Sequence, residues 1–205
     1  MSTPRKEYRI FQTTVRAKAD SPQIEGYAAV FNVSADLGFL TERIAPGAFS
    51  RAIADKQDVR CLFNHDPNNV LGRTKSGTLA LSEDSTGLSY VCDMPDTQIG
   101  RDVHTMIARG DVDQCSFGFI VTKEQVSYND DGTCLRQIQD CDLFDVSPVT
   151  YPAYESTSVE ARSNETALKS YKRNATDGHA AQGKEFKSLE HQTAKRLTYL
   201  AEISL

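Results

Sequence analysis

The stretch DVDQCSFGFIV, residues 111–121, contains a serine that could do chemistry. In an extended strand, successive side chains point to opposite faces, so Ser116 shares a face with Gly118 while Phe117 lies on the apolar face. A glycine inside a strand often marks the close approach of another backbone or a ligand. The pattern predicts Ser116 as a nucleophile, with Gly118 and Phe117 at the substrate. An ordinary strand serine beside a β-bulge or tight packing is the alternative.

A serine hydroxyl needs a neighbouring base to become nucleophilic, and His65 is the candidate base. It follows the apolar run Cys61-Leu62-Phe63, so a predicted strand ends beside it. The Asp66-Pro67 pair after it predicts a turn. An imidazole with the ordinary pKa of about 6.5 can take and return a proton near neutral pH. A histidine that only hydrogen-bonds the local turn backbone is the alternative.

The third candidate is an acid that would orient the imidazole, and Asp145 in DLFDVSPVTYPAY suits this role best. Its neighbours Phe144 and Val146 predict a half-buried strand, where an unpaired carboxylate would be costly and a histidine N–H could satisfy it. A surface-facing Asp145 is the alternative. Other acids also remain open as candidates, namely Asp66, Asp140 and Asp142.

The composition narrows the class of protein. The chain has 205 residues and a net charge of -5, and the acidic balance lies in residues 1–161, which disfavours nucleic-acid binding. Five cysteines without a CxxC pair, and no HExxH pattern, favour neither a disulfide scaffold nor a metal site. No apolar run is long enough to span a membrane, and no secretory signal is visible at the N-terminus. We expect no metal, cofactor, nucleic-acid or membrane partner.

Short runs rich in β-branched and aromatic residues, separated by turn residues, predict a mainly β fold for residues 1–161. Two helices are also predicted, a short one from Pro46 and a longer one capped by Asp96 or Thr97 and ended by Gly110. Many strands with few helices favour a small barrel or sandwich. Residues 162–205 are polar and predict a flexible tail that can form a short helix near its end.

Five motifs in order carry a family resemblance: EGYAAVFN, ERIAPGAF, FNHDP with LGR, IARGDVDQCSFGF and LFDVSPVTYPAY. On these motifs, which span residues 25–160, the chain resembles the prohead proteases of tailed bacteriophages. The resemblance implies that Ser116 is the nucleophile, that His65 is the base and that Asp145 is the acid, where many members would carry glutamate. It also implies a relation to herpesvirus assembly proteases, whose fold is a small closed β-barrel surrounded by helices.

The resemblance implies a serine endopeptidase of phage capsid maturation. Such an enzyme would cleave the scaffold, or the scaffold-like segment of the major capsid protein, and also itself. It would act inside the immature capsid in the host cytoplasm, and it could self-associate. The 162–205 tail lies outside the resemblance and could be a targeting or self-cleaved segment. The rival interpretation is an inactive capsid-assembly or scaffold-binding module that keeps the barrel without the chemistry.

Overall fold

The structure is a computed structural model that describes residues 6–11, 15–36, 40–129 and 133–151. Within these ranges the chain is mostly strand, with two α-helices, α1 (Ser50–Ala54) and α2 (Gln98–Arg109). The strands, in chain order, are β1 (Glu7–Phe11), β2 (Val15–Ala17), β3 (Gln23–Val30), β4 (Ala35–Asp36), β5 (Leu40–Ile44), β6 (Arg60–Phe63), β7 (Asp66–Arg73), β8 (Leu79–Glu83), β9 (Gly87–Asp93), β10 (Gln114–Tyr128) and β11 (Cys134–Val149). The predicted mainly β fold is confirmed.

The strands form two sheets. Seven strands build a sheet in the order β1-β10-β11-β5-β4, with β6 added to β11 and β7 to β6, and this sheet curls into a half-barrel. The other sheet has the order β2-β3-β9-β8. Because strand pairing in the described ranges divides between these two sheets, a single closed barrel stays a prediction.

An aromatic cluster anchors β10 in the core. Phe49, Phe117 and Phe119 are fully buried. The Phe117 ring stacks on Phe119, with 4.6 Å between centroids, and meets Phe49 edge-on at 5.5 Å. Aromatic rings remove large apolar areas from water and favour such offset and edge-on contacts. This packing fixes the part of β10 that carries the neighbouring residue, Ser116.

The predicted helices form, with one difference in extent. Helix α2 has Thr97 as its N-cap, whose hydroxyl accepts a hydrogen bond from the Gly100 amide at 3.3 Å, and it ends at Gly110 with φ +83°. Threonine caps and left-handed glycines are the usual helix ends. Helix α1 begins at Ser50 rather than at Pro46, because residues 46–49 form turns.

The segment after His65 differs from the prediction of a turn at Asp66 and Pro67. The turn lies two residues earlier, at Asn64 and His65, and Asp66 already begins β7. Pro67 is tolerated because the ladder between β6 and β7 passes from the Phe63–Asp66 pair to the Leu62–Val70 pair with a register shift. Residues in such an irregularity need not donate a ladder hydrogen bond.

Residues 152–205 lie outside the described residues, and with them lies the predicted tail at 162–205. The described helices are all too short or too polar to cross a lipid bilayer.

Candidate active site

Three structural elements bring the candidate residues together. Ser116 lies on β10 opposite Ser147 of β11, and Asp145 lies on β11 opposite Gly118. Strand β6 runs parallel to β11 and pairs with it at Asp145 and Val146. The turn that follows β6 therefore delivers His65 to the place where β10 and β11 present the serine and the acid.

The side chains form a continuous hydrogen-bonded chain. The Nε2 atom of His65 lies 2.6 Å from Ser116 Oγ, and its Nδ1 atom lies 2.5 Å from Asp145 Oδ1. Ser116 and Asp145 are fully buried, while the His65 side chain keeps 15% exposure. A base placed between a hydroxyl and a carboxylate is the arrangement that generates a serine nucleophile.

The tight turn that carries His65 is fixed from both sides. Asn64 and His65 have φ of +54° and +56°, as required at both central residues of a two-residue type I′ hairpin. The Asn64 amide donates to the Pro148 carbonyl at 3.0 Å, and the Asn64 side-chain oxygen accepts from the Thr150 amide at 2.9 Å. These bonds tie the turn to the end of β11, the strand that also carries the acid.

The Asp145 carboxylate is held by more than the imidazole. Its Oδ1 atom accepts a hydrogen bond from Ser147 at 2.9 Å, and its Oδ2 atom lies 3.3 Å from the Lys6 ammonium. Burial acts to raise the pKa of Asp145, but His65, Lys6 and Ser147 together outweigh burial and lower it. The ionised carboxylate keeps a proton on His65 Nδ1, which leaves Nε2 to face the serine.

Gly118 makes room for the acid. A Cβ built at this position would overlap the Asp145 carboxylate, and it would come within 2.9 Å of the Tyr8 ring. The close approach expected at this glycine therefore exists, but the neighbours are parts of the same chain. Phe117 is fully buried in the aromatic cluster, so a contact between its side chain and a substrate would require the core to open.

The other candidate acids have different partners. Arg51 binds Asp140 at 2.8 Å and Asp142 at 2.7 Å, which ties α1 to β11. Asp66 accepts a hydrogen bond from the Asn68 amide at 2.8 Å within its own strand. The structure therefore places Asp145, and none of these three, at His65.

The sequence of this chain matches a known protein family. The model of the family described as caudovirus prohead serine protease matches residues 10–172. The chain belongs to this family. The match confirms the predicted role as a protease of phage capsid maturation.

Among solved structures, this prohead protease is similar to the bacteriophage T4 capsid assembly protease gp21. The sequence identity is 12%, the TM-score is 0.48, and the match covers 74% of this chain and 100% of that chain. A comparison with curated proteins found no match.

Sequence reasoning missed the residues of this prohead protease that surround the candidate triad. Ser147 could have been found, since it lies two residues after Asp145 and shares its face of the strand. Lys6, Tyr8 and Arg9 carry no local signal, because they reach the site through pairing between β1 and β10, more than 100 residues apart in the chain. In the described ranges, no group of three or more His, Cys, Asp or Glu side chains could hold a metal ion.

Proposed function

We propose that this prohead protease is a serine endopeptidase in which Ser116 is the nucleophile, His65 the general base and Asp145 the orienting acid. The observation that carries the proposal is the pair of short hydrogen bonds on either side of His65, 2.6 Å to Ser116 Oγ and 2.5 Å to Asp145 Oδ1. No step of this chemistry calls for a metal or a cofactor.

In the first half of the reaction, Ser116 Oγ attacks the carbonyl carbon of the scissile bond while its proton passes to His65 Nε2. The resulting imidazolium is stabilised by the ionised Asp145. Collapse of the tetrahedral intermediate breaks the carbon–nitrogen bond, and His65 gives its proton to the departing amine. The acyl group stays on Ser116 as an ester.

In the second half, a water takes the place of the amine. His65 removes one proton from this water, whose oxygen attacks the ester carbonyl. The carbon–oxygen bond to Ser116 then breaks, and the proton on His65 returns to the serine oxygen. The products are two peptides, and the enzyme regains its starting protonation state.

The substrates proposed for this enzyme are the scaffold, or a scaffold-like segment of the major capsid protein, and the protease chain itself. We place the reaction inside the immature capsid in the host cytoplasm, with self-association of the enzyme. The family description, which names a prohead protease, supports this setting. The proposal includes the closed barrel and the relation to herpesvirus assembly proteases that the sequence motifs imply.

Labelling with a fluorophosphonate tests the proposed nucleophile. We expect one adduct per chain in the wild type, located at Ser116 by peptide mapping, and none in Ser116→Ala. Ser127→Ala is the matched control, because Ser127 lies at the exposed far end of the same strand. Absence of labelling in folded protein, both free and inside assembled shells, would support the rival interpretation of an inactive assembly module.

A further inference from the structure

Strand β1 occupies the edge of β10 where Ser116 lies. The two strands pair antiparallel, with Glu7 opposite Phe119, Tyr8 opposite Gly118 and Ile10 opposite Ser116. Strand β1 is the last strand at this end of the seven-stranded sheet. An extended peptide that binds to a sheet edge uses the same main-chain hydrogen bonds as a strand of the protein. The edge of β10 beside the nucleophile is therefore already filled by the chain's own N-terminal segment.

This segment closes access to the nucleophile. Ser116 is fully buried, and its Oγ donates a hydrogen bond to the Arg9 carbonyl at 3.0 Å. A hydroxyl has one proton, so Ser116 cannot donate to Arg9 and to His65 Nε2 at the same time. The Arg9 carbonyl therefore competes with His65 Nε2 for the proton that the reaction must remove.

The same segment contacts the other two members of the proposed triad. The Lys6 ammonium lies 3.3 Å from Asp145 Oδ2, and the Tyr8 ring lies against the His65 ring, with 4.4 Å between centroids. The short segment of residues 6–11 thus reaches all three side chains. A peptide that approached Ser116 as a strand would have to take their place.

The Arg9 side chain binds a buried acid on the face of the sheet that carries Phe117 and Phe119. Its guanidinium donates to both oxygens of the Glu42 carboxylate, with 2.5 Å from Nε to Oε1 and 2.9 Å from Nη2 to Oε2. Glu42 is buried, and its Oε2 atom also accepts from Arg136 at 2.7 Å. Among the described residues, Oε1 of Glu42 receives a hydrogen bond from Arg9 alone. A buried carboxylate oxygen is costly without a donor, so a strand that replaces β1 binds best when it supplies one.

We propose that the edge of β10 at residues 115–119 is the site of the substrate strand. Residues 6–11 occupy it in place of a substrate, and Glu42 selects an arginine or lysine side chain at the position of Arg9. This inference rests on the proposed function and specifies the substrate and the regulation of that site. The enzyme is closed while β1 is paired, and it opens when β1 separates from β10.

Weakening β1 in the full chain tests whether it blocks the site. Tyr8→Ala removes the ring from His65 without changing the triad, and we expect fluorophosphonate labelling of Ser116 to become roughly fivefold faster. Tyr128→Ala, at the far end of β10, is the matched control and should label at the wild-type rate. Glu7→Gln is the second variant, since Glu7 holds β1 to Arg136 of β11 and, among the described residues, contacts no member of the triad. Unchanged or slower labelling in both folded variants would show that β1 is a scaffold strand.

Peptides test the proposed specificity. A synthetic peptide with the sequence of residues 6–11, KEYRIF, should slow the labelling of Tyr8→Ala. The matched peptide KEYAIF should need at least about tenfold higher concentration, because it lacks the charged donor for Glu42. In a Tyr8→Ala/Glu42→Gln variant this difference should shrink. Equal inhibition by both peptides would overturn the role of Glu42.

Failure of this inference and failure of the proposed function give different results. If Ser116 is labelled but the Tyr8 and Glu7 variants are not faster, only the inference fails. If Ser116 is labelled in no variant, the proposed function fails and the inference falls with it.

Discussion

Strand β10 has two neighbours around Ser116, and they differ in what they contribute. Strand β11 pairs with β10 along almost its whole length, from Gln114 to Tyr128, and carries the acid. Strand β1 pairs only at residues 115–119 and contacts the triad with Tyr8 and the Arg9 carbonyl, and Lys6, just before β1, contacts the acid. A long ladder fixes geometry, whereas a short edge strand opens at lower cost. We therefore infer that β11 builds the active site and that β1 closes it.

Substitutions of the triad residues held by β11 should change the labelling rate most, because β11 supplies the acid and anchors the turn that carries the base. We expect His65→Ala to lower the rate of fluorophosphonate labelling by about a thousandfold or more, since the serine loses its base. His104→Ala, on α2, is the matched control and should label like the wild type. A His65→Ala enzyme that labels at the normal rate would remove the histidine from the proposed mechanism.

Gly118→Ala tests the position where both neighbours meet. The added methyl group would press on the Asp145 carboxylate and on the Tyr8 ring. Because Asp145 is buried and hydrogen-bonded, we expect a displaced acid, labelling slower by about a hundredfold, and a loss of about 1–3 kcal/mol in the free energy of unfolding. Labelling rates and urea unfolding measure the two effects. Faster labelling would mean that release of β1 outweighs damage to the acid.

Ser147→Ala distinguishes the role of β11 from that of β1, because the labelling rate should change in opposite directions for variants of the two strands. Ser147 lies on β11 and donates to Asp145, so its loss should slow labelling by roughly tenfold, as removal of a supporting hydrogen bond does at other sites. Tyr8→Ala, on β1, is expected to act in the opposite direction. Ser127→Ala again serves as the control. Changes of the same sign in the Ser147 and Tyr8 variants would contradict the division of roles.

The pH dependence of stability should give the smallest effect. The folded-state pKa of Asp145 is lowered, so its stabilisation is present above the unfolded-state pKa of about 4 and is lost as the pH falls through the folded-state value. The free energy of unfolding should therefore differ most between wild type and Asp145→Asn near neutral pH, and the difference should shrink in acid. Asp20→Asn, at an exposed turn, is the control. A difference that stays constant with pH would contradict an ionised, paired Asp145.

Local sequence patterns predict part of this structure. The helix ends at Thr97 and Gly110, and the strands around Ser116, follow from spacing and from residue type. The candidate triad came from a serine, a histidine and an acid in telling contexts together with ordered family motifs, and the structure brings these three residues together.

The features that local sequence patterns do not predict depend on contacts between distant parts of the chain. Alternation along β10 separates the faces of Ser116 and Phe117, but it does not show which strand lies beside them. The pattern therefore predicts room for a substrate beside Gly118, whereas Asp145 and Tyr8 fill that space. The turn lies two residues before the predicted Asp66-Pro67 pair, because an asparagine and a histidine can adopt positive φ where glycine is more usual.

Processing of the capsid protein is the decisive test of Ser116 as the nucleophile. The protease is co-expressed with the major capsid protein and scaffold of the same phage, and their masses are measured after assembly. We expect shortened products with wild-type enzyme and with Ser127→Ala, and full-length proteins with Ser116→Ala. Continued processing by Ser116→Ala would contradict Ser116 as the nucleophile.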